Sequence, residues 1–506
     1  MNITTIVKPF FSNRFAEMNA FTNNGDIIQK KVLATLTSLA KDTEVGRKYG
    51  FAEIKDNYRL FAERVPVIDY EGVKPYVERM LAGEQNLIWN SNIEWFAKSS
   101  GTTNDKSKFI PVSSEARKEC HYKGGSSCVA SYFNLNPNSK LFDGKSLILG
   151  GSHEISNLAG HYRCGDLSAI LIQNMPTMAN WVRVPSKEIA LMSEWESKLE
   201  KIAATTVNEN VTNLSGVPSW FMVLIKKILH DNGKQYLTDI WPNLELFFHG
   251  GISFAPYREQ YKRLIPSDNM HYIETYNASE GFFAVQNSFD EQSMLLLIDL
   301  GIFFEFMPMS EIGSDNPKLL PYWEVEKGEN YALVITTNSG LWRYIIGDTV
   351  RVESVNPVKI TISGRVKHFI NAFGEELMVD NAEKALAKCC KMTGANISNY
   401  TAAPVFMSEG SRGRHQWLIE FDKEPQSLEE FANILDASLQ EINSDYEAKR
   451  YKSIALDRLE IIPARKGLFE DWLKSKGKLG GQHKVPRLSN NRTYIDDMLK
   501  LNKLYI

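Results

Sequence analysis

Apolar residues in several parts of this chain recur every three or four positions, the spacing that places them on one face of a helix. The run from Ile27 to Leu39 shows this spacing first, and the runs at Val73–Leu81, Ile189–Ile202 and Trp220–Leu229 repeat it. We therefore predict amphipathic helices at these positions.

Shorter apolar runs between these helices predict strands, because they alternate or are continuous and end at turn residues. The candidate strands are Asn86–Trp89, Ile93–Phe96, Lys145–Leu149, Leu244–Phe248 and His271–Tyr276. Two of them are followed by a glycine pair, Gly150–Gly151 in one case and Gly250–Gly251 in the other.

A dense series of strand signals lies between residues 295 and 350, with turn residues at regular intervals. The signals are at Leu295–Ile298, Phe303–Phe306, Tyr331–Ile335 and Leu341–Ile346. Because consecutive strands joined by short connections tend to pair in antiparallel fashion, we predict an antiparallel sheet or a β-barrel-like lobe here.

The pattern changes near Arg365, after which strand and helix signals alternate. The predicted elements are strands at Lys367–Ile370, Trp417–Phe421 and Leu459–Ile462 and helices at Leu377–Cys390 and after Ser427. Ser427 and Glu430 form a capping box at the start of the latter helix. We predict a large domain over residues 1–364 and a small α/β domain over residues 365–506.

The composition is that of a globular protein large enough for more than one domain. The chain has 506 residues, of which 43% are hydrophobic and 24% charged, and its formal net charge is −3. This balance argues against nucleic acid as a partner, because electrostatic binding to nucleic acid needs a strongly basic face. The most apolar stretch, Met294–Met309, carries Asp299 and Glu305, so we predict buried strands and no membrane partner.

The cysteines and the first residues bear on the compartment. The five cysteines include no Cys-x-x-Cys pair, and their odd number leaves at least one thiol unpaired. The chain begins without the charged-then-apolar pattern of a signal peptide. We therefore expect reduced thiols, buried as small apolar side chains, and a cytoplasmic location.

Four stretches could carry chemistry, and the first is Ser99–Lys108. It places four hydroxyl groups around Gly101, with two lysines behind them, directly after a predicted strand. Hydroxyl and backbone N–H groups can surround phosphate oxygens, so the stretch is a candidate phosphate loop. A hydroxyl-rich surface loop is the alternative.

The second and third stretches each end in a carboxylate. In Glu274–Gly281, Tyr276 could stack on a base and Glu280 could bind Mg²⁺, which favours one or two carboxylates plus phosphate oxygens. In Leu341–Asp348, the aspartate follows a strand and a glycine and could accept both hydroxyl groups of a ribose. A solvated strand end and a capped turn are the respective alternatives.

The fourth stretch combines Gly364–Lys367 and the loop at 371–376 with the basic segment Gly480–Arg487. A lysine on a glycine-hinged loop can be carried into a site, where its ammonium group stabilises charge on a transferring phosphoryl or acyl group. A solvated basic turn is the alternative. The sequence motifs of P-loop NTPases, dinucleotide-binding Rossmann domains, zincins and α/β-hydrolases are absent from the chain.

Taken together and in this order, three motifs resemble the Gretchen Hagen (auxin-responsive) family of acyl-acid amido synthetases, and a bacterial member in particular. They are Ser-Ser-Gly-Thr from Ser99, Tyr-x-x-Ser-Glu from Tyr276 and Arg-Tyr-x-x-Gly-Asp from Arg343. The resemblance extends from Trp95 to Arg487 and implies an α/β fold of the acyl-adenylate-forming superfamily. That fold has a large N-terminal adenylation domain and a small, mobile C-terminal domain.

The resemblance also implies roles for individual residues. The phosphate loop would be Ser99, Ser100, Gly101, Thr102 and Thr103, where Thr103-Asn104-Asp105 departs from the family's Ser-x-Gly but keeps a hydroxyl group. The nucleotide site would include Gly250, Gly251, Tyr276, Ser279, Glu280, Asp348 and Arg365, with Glu280 as the Mg²⁺ ligand and Asp348 on the ribose. Lys367 would be the hinge and Lys484 the catalytic lysine. His121 and Tyr122 are candidates for the acid site, with a solvated helix face as the alternative.

The function implied by the resemblance is an ATP- and Mg²⁺-dependent ligase. It would activate a small carboxylic acid as acyl-AMP and transfer the acyl group to an amine, with an amino acid as the expected acceptor. The hormone specificity of the plant enzymes is not carried over to this chain. Two alternatives stay open: an acyl-CoA ligase of the same superfamily, and a non-catalytic protein that binds ATP or an acid.

Overall fold

The chain folds into two compact units of mixed α/β structure. The larger comprises Met1–Ile346 and Arg351–Thr361, and the smaller comprises Gly347–Val350 and Ile362–Ile506. The computed structural model describes residues 3–99, 108–151, 153–154, 162–251, 254, 257–366, 369–370, 372, 375, 377–406, 413–443, 446–447, 450, 456–476, 485–489 and 491–503.

Helices cover much of the first part of the larger unit. They are α1 (Ile3–Asn19), α2 (Phe21–Ala40), α3 (Glu44–Tyr49), α4 (Phe51–Ile54), α5 (Tyr58–Arg64), α6 (Tyr70–Leu81), α7 (Lys123–Leu135), α8 (Leu167–Gln173), α9 (Lys187–Ala190), α10 (Trp195–Thr206), α11 (Pro218–Asp231) and α12 (Arg258–Leu264). The predicted helices near residues 27–39, 73–81 and 220–229 are confirmed as α2, α6 and α11. A π-helix, Ala116–Tyr122, runs directly into α7.

The prediction of one continuous helix from Ile189 to Ile202 is wrong, because α9 and α10 are separate. Glu194 between them is extended, with φ −81° and ψ 118°. Its carboxylate accepts hydrogen bonds from the N–H groups of Glu196 and Ser197, at 2.9 and 2.6 Å. This cap begins a new helix at a position where the apolar spacing alone predicts continuation.

The strands of the larger unit form two sheets. The strands are β1 (Trp95–Ser99), β2 (Lys108–Val112), β3 (Lys145–Ile148), β4 (His153–Glu154), β5 (Arg163–Gly165), β6 (Arg183–Val184), β7 (Val211–Gly216), β8 (Leu246–Gly250), β9 (His271–Ala278), β10 (Gly281–Gln286), β11 (Met294–Leu296), β12 (Ile302–Pro308), β13 (Leu320–Pro321), β14 (Asn330–Thr337), β15 (Tyr344–Val355) and β16 (Val358–Arg365). One sheet has the order β2-β1-β5-β4. The other has twelve strands in the order β13-β12-β14-β15-β16-β11-β10-β9-β8-β7-β3-β6.

At one end of the twelve-stranded sheet the neighbouring strands are parallel, so their carboxyl ends lie at a single edge of the sheet. The neighbouring pairs β6–β3, β3–β7, β7–β8 and β8–β9 are all parallel. The chain passes from β3 to β6 on one side and then to β7 on the other, so the strand order reverses between β3 and β7. In open α/β sheets, ligands bind outside the carboxyl ends of the strands at such a switch point.

The parallel strands are held by a continuous apolar core under α10 and α11. Leu147, Leu214 and Phe247 from the strands pack in this core with Ile202 of α10 and Phe221 of α11, and all five side chains are buried. The near-continuous apolar runs in these strands are typical of parallel strands covered by helices. The core therefore explains the apolar runs from which β3 and β8 were predicted, whereas β7 was not predicted from the sequence.

The predicted antiparallel strands between residues 295 and 350 are confirmed as β11, β12, β14 and β15. In the described part of the chain they continue the twelve-stranded sheet and do not form a separate barrel-like lobe. The reason is that β11 pairs with β10 on one side and with β16 on the other, which joins the antiparallel strands to β9.

The prediction of a strand at Asn86–Trp89 is wrong, because this segment forms a bend whose carbonyl groups accept hydrogen bonds from a helix. Asn86 has φ +61°, and the carbonyl groups of Asn86 and Leu87 accept hydrogen bonds from the N–H groups of Glu44 and Val45 at the start of α3. Leu87, Ile88 and Trp89 are nevertheless buried. The apolar pattern thus predicts the burial of the segment, while α3 determines its backbone.

A buried ion pair connects the N-terminal helices to the sheet. The Arg343 guanidinium donates to both carboxylate oxygens of Glu305, with the shortest distance 2.9 Å, and to the carbonyl oxygens of Ala62 and Val65 at 2.9 and 2.8 Å. Glu305 has no exposed surface, and Tyr58 donates its hydroxyl to it at 3.0 Å. Arg343 has φ +45°, so the segment predicted as a strand from Leu341 begins as β15 only at the next residue.

The smaller unit is an α/β domain with a three-stranded sheet of order β19-β20-β21. Its elements are β17 (Phe369–Ile370), β18 (Leu377–Met378), α13 (Val379–Thr393), β19 (Asn396–Val405), β20 (Arg414–Lys423), α14 (Leu428–Ile442), β21 (Glu460–Ala464), α15 (Leu468–Ser475) and α16 (Thr493–Lys503). Ser427 is confirmed as the N-cap of the predicted capping box, since its Oγ accepts the N–H of Glu430 at 3.2 Å. The sequence pattern missed β19, whose Tyr400 stacks on Trp417 of β20 with ring centroids 5.8 Å apart.

The cysteines are free thiols, as expected. Cys120, Cys128, Cys164 and Cys389 are buried, and Cys390 is half-buried. Among the helices in the described ranges, none combines the length and apolarity that crossing a membrane requires.

We expect Glu305→Gln to lower the free energy of unfolding by about 3–5 kcal/mol, because it leaves the buried Arg343 charge without a full partner. The measurement is urea unfolding followed by tryptophan fluorescence. Glu291→Gln is the control, because that carboxylate is 55% exposed in its 2.8 Å pair with Lys359. The free energy of unfolding of this control should fall by about 1 kcal/mol or less. Equal losses in the two variants would contradict the structural role of the buried pair.

Candidate active site at the carboxyl edge of the parallel sheet

A tight hairpin brings three of the predicted nucleotide-site residues together. Tyr276 lies on β9, and Ser279 and Glu280 form the turn between the paired residues Ala278 and Gly281. Glu280 is half-buried, while Ser279 and Tyr276 are buried. The Tyr276 ring is only 4% exposed and packs against Phe283, with ring centroids 4.8 Å apart. The ring therefore belongs to the floor of the edge and offers little surface for stacking on a base.

The predicted glycine pair Gly250–Gly251 lies beside this hairpin. Gly250 ends β8 opposite Thr275 of β9. A Cβ atom on Gly250 would overlap the carbonyl oxygen of Thr275 and would lie 2.9 Å from its hydroxyl. Gly251 has φ +81°, a conformation that favours glycine. Only a glycine thus fits at position 250 between the two strands, and the backbone at position 251 also favours glycine.

The candidate phosphate loop connects two strands of the four-stranded sheet in the larger unit. β1 and β2 pair in antiparallel fashion, with Ser99 opposite Lys108. Ser100, Gly101, Thr102 and Thr103 lie outside the described residues, as does the side chain of Ser99. β1 also runs parallel to β5, with Ala97 beside Gly165. The loop therefore leaves the sheet at the same end as the chain that enters α8.

His121 and Tyr122 lie on the π-helix that faces the hairpin. Cys120, their neighbour, accepts the N–H of Phe282 on its sulfur at 3.2 Å. Tyr122 donates its hydroxyl to the Leu171 carbonyl of α8 at 2.9 Å, and burial raises its pKa to about 12. π-Helical turns are frequent at functional sites.

The alternative of a solvated helix face is wrong for His121, which is 4% exposed. Burial lowers its pKa to about 4. Its Nδ1 has no hydrogen-bond partner among the described atoms. A neutral, buried imidazole with an unpartnered nitrogen can bind a polar group of a ligand.

Asp348 and Arg365 lie on the parts of β15 and β16 that belong to the smaller unit. Asp348 is on β15 and 7% exposed, and Arg365 ends β16. The N–H of Val366 donates to the Gly347 carbonyl at 2.8 Å, so the two backbones run side by side. The side chain of Arg365, the predicted hinge Lys367 and the predicted catalytic Lys484 lie outside the described part of the structure.

The sequence interpretation missed one charged residue at this edge, Lys198 of α10. It donates hydrogen bonds to the carbonyl groups of Gly150 and Gly151, the glycine pair after β3. A signal was present, because Lys198 follows Trp195 by three positions and precedes Ile202 by four, which places a charge on the apolar face of the helix.

This edge offers a carboxylate that could contribute to a metal site. Among the residues that the structure describes, no group of three side chains could hold a metal ion by itself. Mg²⁺ binds through one or two carboxylates plus the phosphate oxygens of its substrate. The half-buried Glu280 at the hairpin turn fits that ligand set.

Comparison with known proteins gives matches along the chain. The GH3 family N-terminal domain matches residues 14–270, the GH3 family central domain matches 295–365, and the GH3 family C-terminal domain matches 380–493.

Named relatives and solved structures agree with these matches. The chain is 25% identical to indole-3-acetic acid-amido synthetase GH3.3 of Arabidopsis thaliana, over 94% of this chain and 91% of that one. It is 22% identical to 4-substituted benzoates-glutamate ligase GH3.12 of Arabidopsis thaliana, over 93% and 94%.

Among solved structures, the GH3.15 acyl acid amido synthetase has a TM-score of 0.77 at 20% identity, over 96% and 94% of the two chains. A 2-hydroxyisobutyryl-CoA ligase in complex with 2-HIB-AMP has a TM-score of 0.60 at 13% identity, over 94% and 91%. These two likenesses show the acyl-adenylate-forming fold, which confirms the predicted fold class.

We expect Gly250→Ala to destabilise the protein by about 1–3 kcal/mol, because the new methyl group forces β8 away from Thr275. Gly125→Ala on α7 is the matched control, since no described atom outside the helix lies within 4 Å of its new Cβ. That control should gain about 0.5–1 kcal/mol from higher helix propensity. Thermal unfolding measures both, and a neutral Gly250→Ala would contradict the close approach of the two strands.

We expect stability to fall as the pH decreases from 6.5, because two buried histidines stay neutral in the folded state. Burial lowers the pKa of His249 to about 3 and that of His121 to about 4. The unfolded chain binds these protons below its pKa of about 6.5, so acid favours unfolding.

His249→Phe should reduce the loss of stability between pH 7 and pH 5 by about 2 kcal/mol. Urea unfolding at the two pH values measures it. The exposed His230 on α11, replaced by glutamine, is the control. The same loss in wild type and His249→Phe would contradict the burial argument.

Proposed function

The chain belongs to the GH3 family, and from this premise we propose that it is an ATP-dependent acyl acid amido synthetase. It activates a carboxylic acid as an acyl-adenylate and transfers the acyl group to an amine, for which we propose an amino acid. The observation that carries this proposal is the ordered match of three GH3 domains between residues 14 and 493.

Adenylation comes first because a free carboxylate is a poor electrophile. A carboxylate oxygen of the acid attacks the α-phosphorus of ATP, a new P–O bond forms, and the bond to pyrophosphate breaks. The amine nitrogen then attacks the acyl carbon, loses a proton and displaces AMP. Both steps depend on positioning and on stabilising charge at the reacting groups.

We assign the nucleotide to the edge where the hairpin and the glycine pair meet. Ser99, Ser100, Gly101, Thr102 and Thr103 hold the phosphates, Gly250, Gly251 and Ser279 line the nucleotide, and Tyr276 forms the floor beneath it. Asp348 holds the ribose, and Arg365 contacts it or the α-phosphate. The burial of Asp348 beside Gly347 supports its part in this assignment, because a carboxylate excluded from water accepts hydroxyl hydrogen bonds more strongly.

Mg²⁺ completes this assignment with Glu280 as its protein ligand. When bound, the metal neutralises charge on the phosphate oxygens. Glu280 lies in a turn held by the paired residues Ala278 and Gly281, which limits how far its carboxylate can move. Replacement of this carboxylate should therefore weaken Mg²⁺ binding without disturbing the acid.

The C-terminal domain, residues 365–506, is proposed to move about Lys367 relative to residues 1–364. Lys484 lies near the α-phosphate during adenylation, and the movement removes it so that the amine can enter. The loss of Lys484 should consequently slow adenylation more than amide formation.

The acid is assigned to the side of the edge formed by the π-helix. His121 and Tyr122 support this assignment through the neutral, unpartnered imidazole and the hydrogen bond to α8. The partners are small molecules, a carboxylic acid and an amine, and we propose a cytoplasmic location from the free thiols.

We expect pyrophosphate release from Mg-ATP to depend on an added carboxylic acid and to fall by about 100-fold or more in Lys484→Ala. The acid probes are benzoate, indole-3-acetate and hexanoate, each with and without a mixture of amino acids. Lys474→Ala, an exposed lysine on α15, is the matched control.

Each outcome of this assay separates the candidate functions. Acid-dependent release with amine-dependent formation of AMP supports the synthetase. AMP formation that needs coenzyme A and no amine would instead indicate a thioester ligase. ATP binding without release for any probe would indicate a binding protein.

A further inference from the structure

A lysine is buried beneath the glycine turn that follows β3. Lys198 of α10 is 1% exposed, and its Nζ donates to the carbonyl oxygens of Gly150 and Gly151 at 2.6 and 3.0 Å. Lysine is among the residues least often fully buried. Its position on the otherwise apolar face of α10 therefore points to a role that an apolar side chain could not fill.

The same turn is held from the other side by the start of α8. The N–H of Gly151 donates to Ser168 Oγ at 2.9 Å. A Cβ atom on Gly151 would overlap the Asp166 carboxylate, and one on Gly150 would lie 3.2 Å from Ser168 Oγ. Gly150 and Gly151 are thus enclosed between α8 and α10, with hydrogen bonds to both helices.

This enclosed turn lies where the two sheets of the larger unit meet the candidate site. On one side, the Leu149 N–H donates to the Ser215 carbonyl of β7 at 3.1 Å. This bond lies between β3 and β7, at the switch point of the parallel sheet. On the other side, Asp166 follows β5, whose partner β1 leads into the candidate phosphate loop. The turn therefore lies between the strand end at the switch point and the strand ends that lead into α8 and the candidate phosphate loop.

We propose that Lys198 is a positioning residue that holds the Gly150–Gly151 turn as a wall of the carboxylic acid pocket. This inference rests on the proposed function, because the acid is the substrate of that function. Lys198 touches the turn and not the reacting atoms, so its loss should change the affinity for the acid more than the affinity for ATP.

The charge of Lys198 gives this role a pH dependence. Burial lowers its pKa to about 8, against an opposing effect of the Asp166 carboxylate. The charged groups on the neighbouring helices α9 and α11 are either exposed or paired with other groups. Lys187 donates to the Gln173 carbonyl, and both Lys227 and His230 pair with Asp231. Glu188 and Lys226 are exposed. Above pH 8 the Lys198 amine is neutral, so its two hydrogen bonds to the turn become weaker.

A purely structural role would give the opposite pH trend. Since the folded-state pKa of Lys198 lies below the ordinary value of 10.5, the folded state releases this proton first, and its contribution to stability rises between pH 8 and 10.5. A fall of acid affinity over that interval therefore reports positioning and not folding.

The test is acid-dependent ATP–pyrophosphate exchange on the full chain, with benzoate, indole-3-acetate and hexanoate as probes. Lys198→Met should raise KM for the acid by about 10- to 100-fold and leave KM for ATP within about twofold. Lys198→Gln keeps a hydrogen-bond donor, so its KM for the acid should lie between those of the wild type and Lys198→Met. Lys201→Met, the same change at an exposed position of α10, is the control.

The pH profile and a second variant keep the test decisive. KM for the acid should rise above pH 8 in the wild type and stay level in Lys198→Met. If Lys198→Met does not fold, Ser168→Ala removes the bond from the α8 side without burying a charge and should raise KM for the acid by about threefold.

Two outcomes overturn the inference, and they differ in what else they affect. Exchange in the wild type with equal changes of both KM values in Lys198→Met overturns the positioning role alone. Absence of exchange in the wild type with all three probes overturns the proposed function and this inference with it.

Discussion

The pair between Arg343 and Glu305 determines how the larger unit is assembled. One guanidinium group binds the Glu305 carboxylate of β12, the carbonyl group of Ala62 in α5 and that of Val65 directly after α5. A buried charge requires such complete satisfaction, since any unpartnered donor in this interior would be costly. The strained backbone of Arg343, at φ +45°, ends the preceding turn and sets where β15 begins. The position of Asp348, further along β15, follows from that start.

The motif Arg-Tyr-x-x-Gly-Asp therefore combines two different kinds of residue. Its arginine is buried and paired with Glu305, and its aspartate is the residue proposed to hold the ribose. The same division recurs in Tyr-x-x-Ser-Glu, where the Tyr276 ring packs on Phe283 while Glu280 occupies the hairpin turn. A motif that resembles a binding site in sequence thus includes residues whose observed contacts are structural.

The edge of the parallel sheet shows why glycine pairs follow its strands. Gly250 lies against the Thr275 carbonyl, and the Gly150–Gly151 turn is enclosed between Lys198 and the start of α8. In both places the backbone comes closer to its neighbour than a side chain would allow. The result is an edge built largely from main chain, whose shape depends on the helices behind it.

The sequence by itself determined the mixed α/β class, the helices and strands with strong apolar periodicity, the cap at Ser427 and the family motifs. These features depend on residues close together in the chain, so local spacing is sufficient to predict them. Only the tertiary structure decided that the carbonyl groups of Asn86 and Leu87 accept hydrogen bonds from α3, and that Lys198 reaches the turn after β3. Both depend on hydrogen bonds to a segment distant in the chain, because a carbonyl group or a buried charge takes the partner that the fold brings to it.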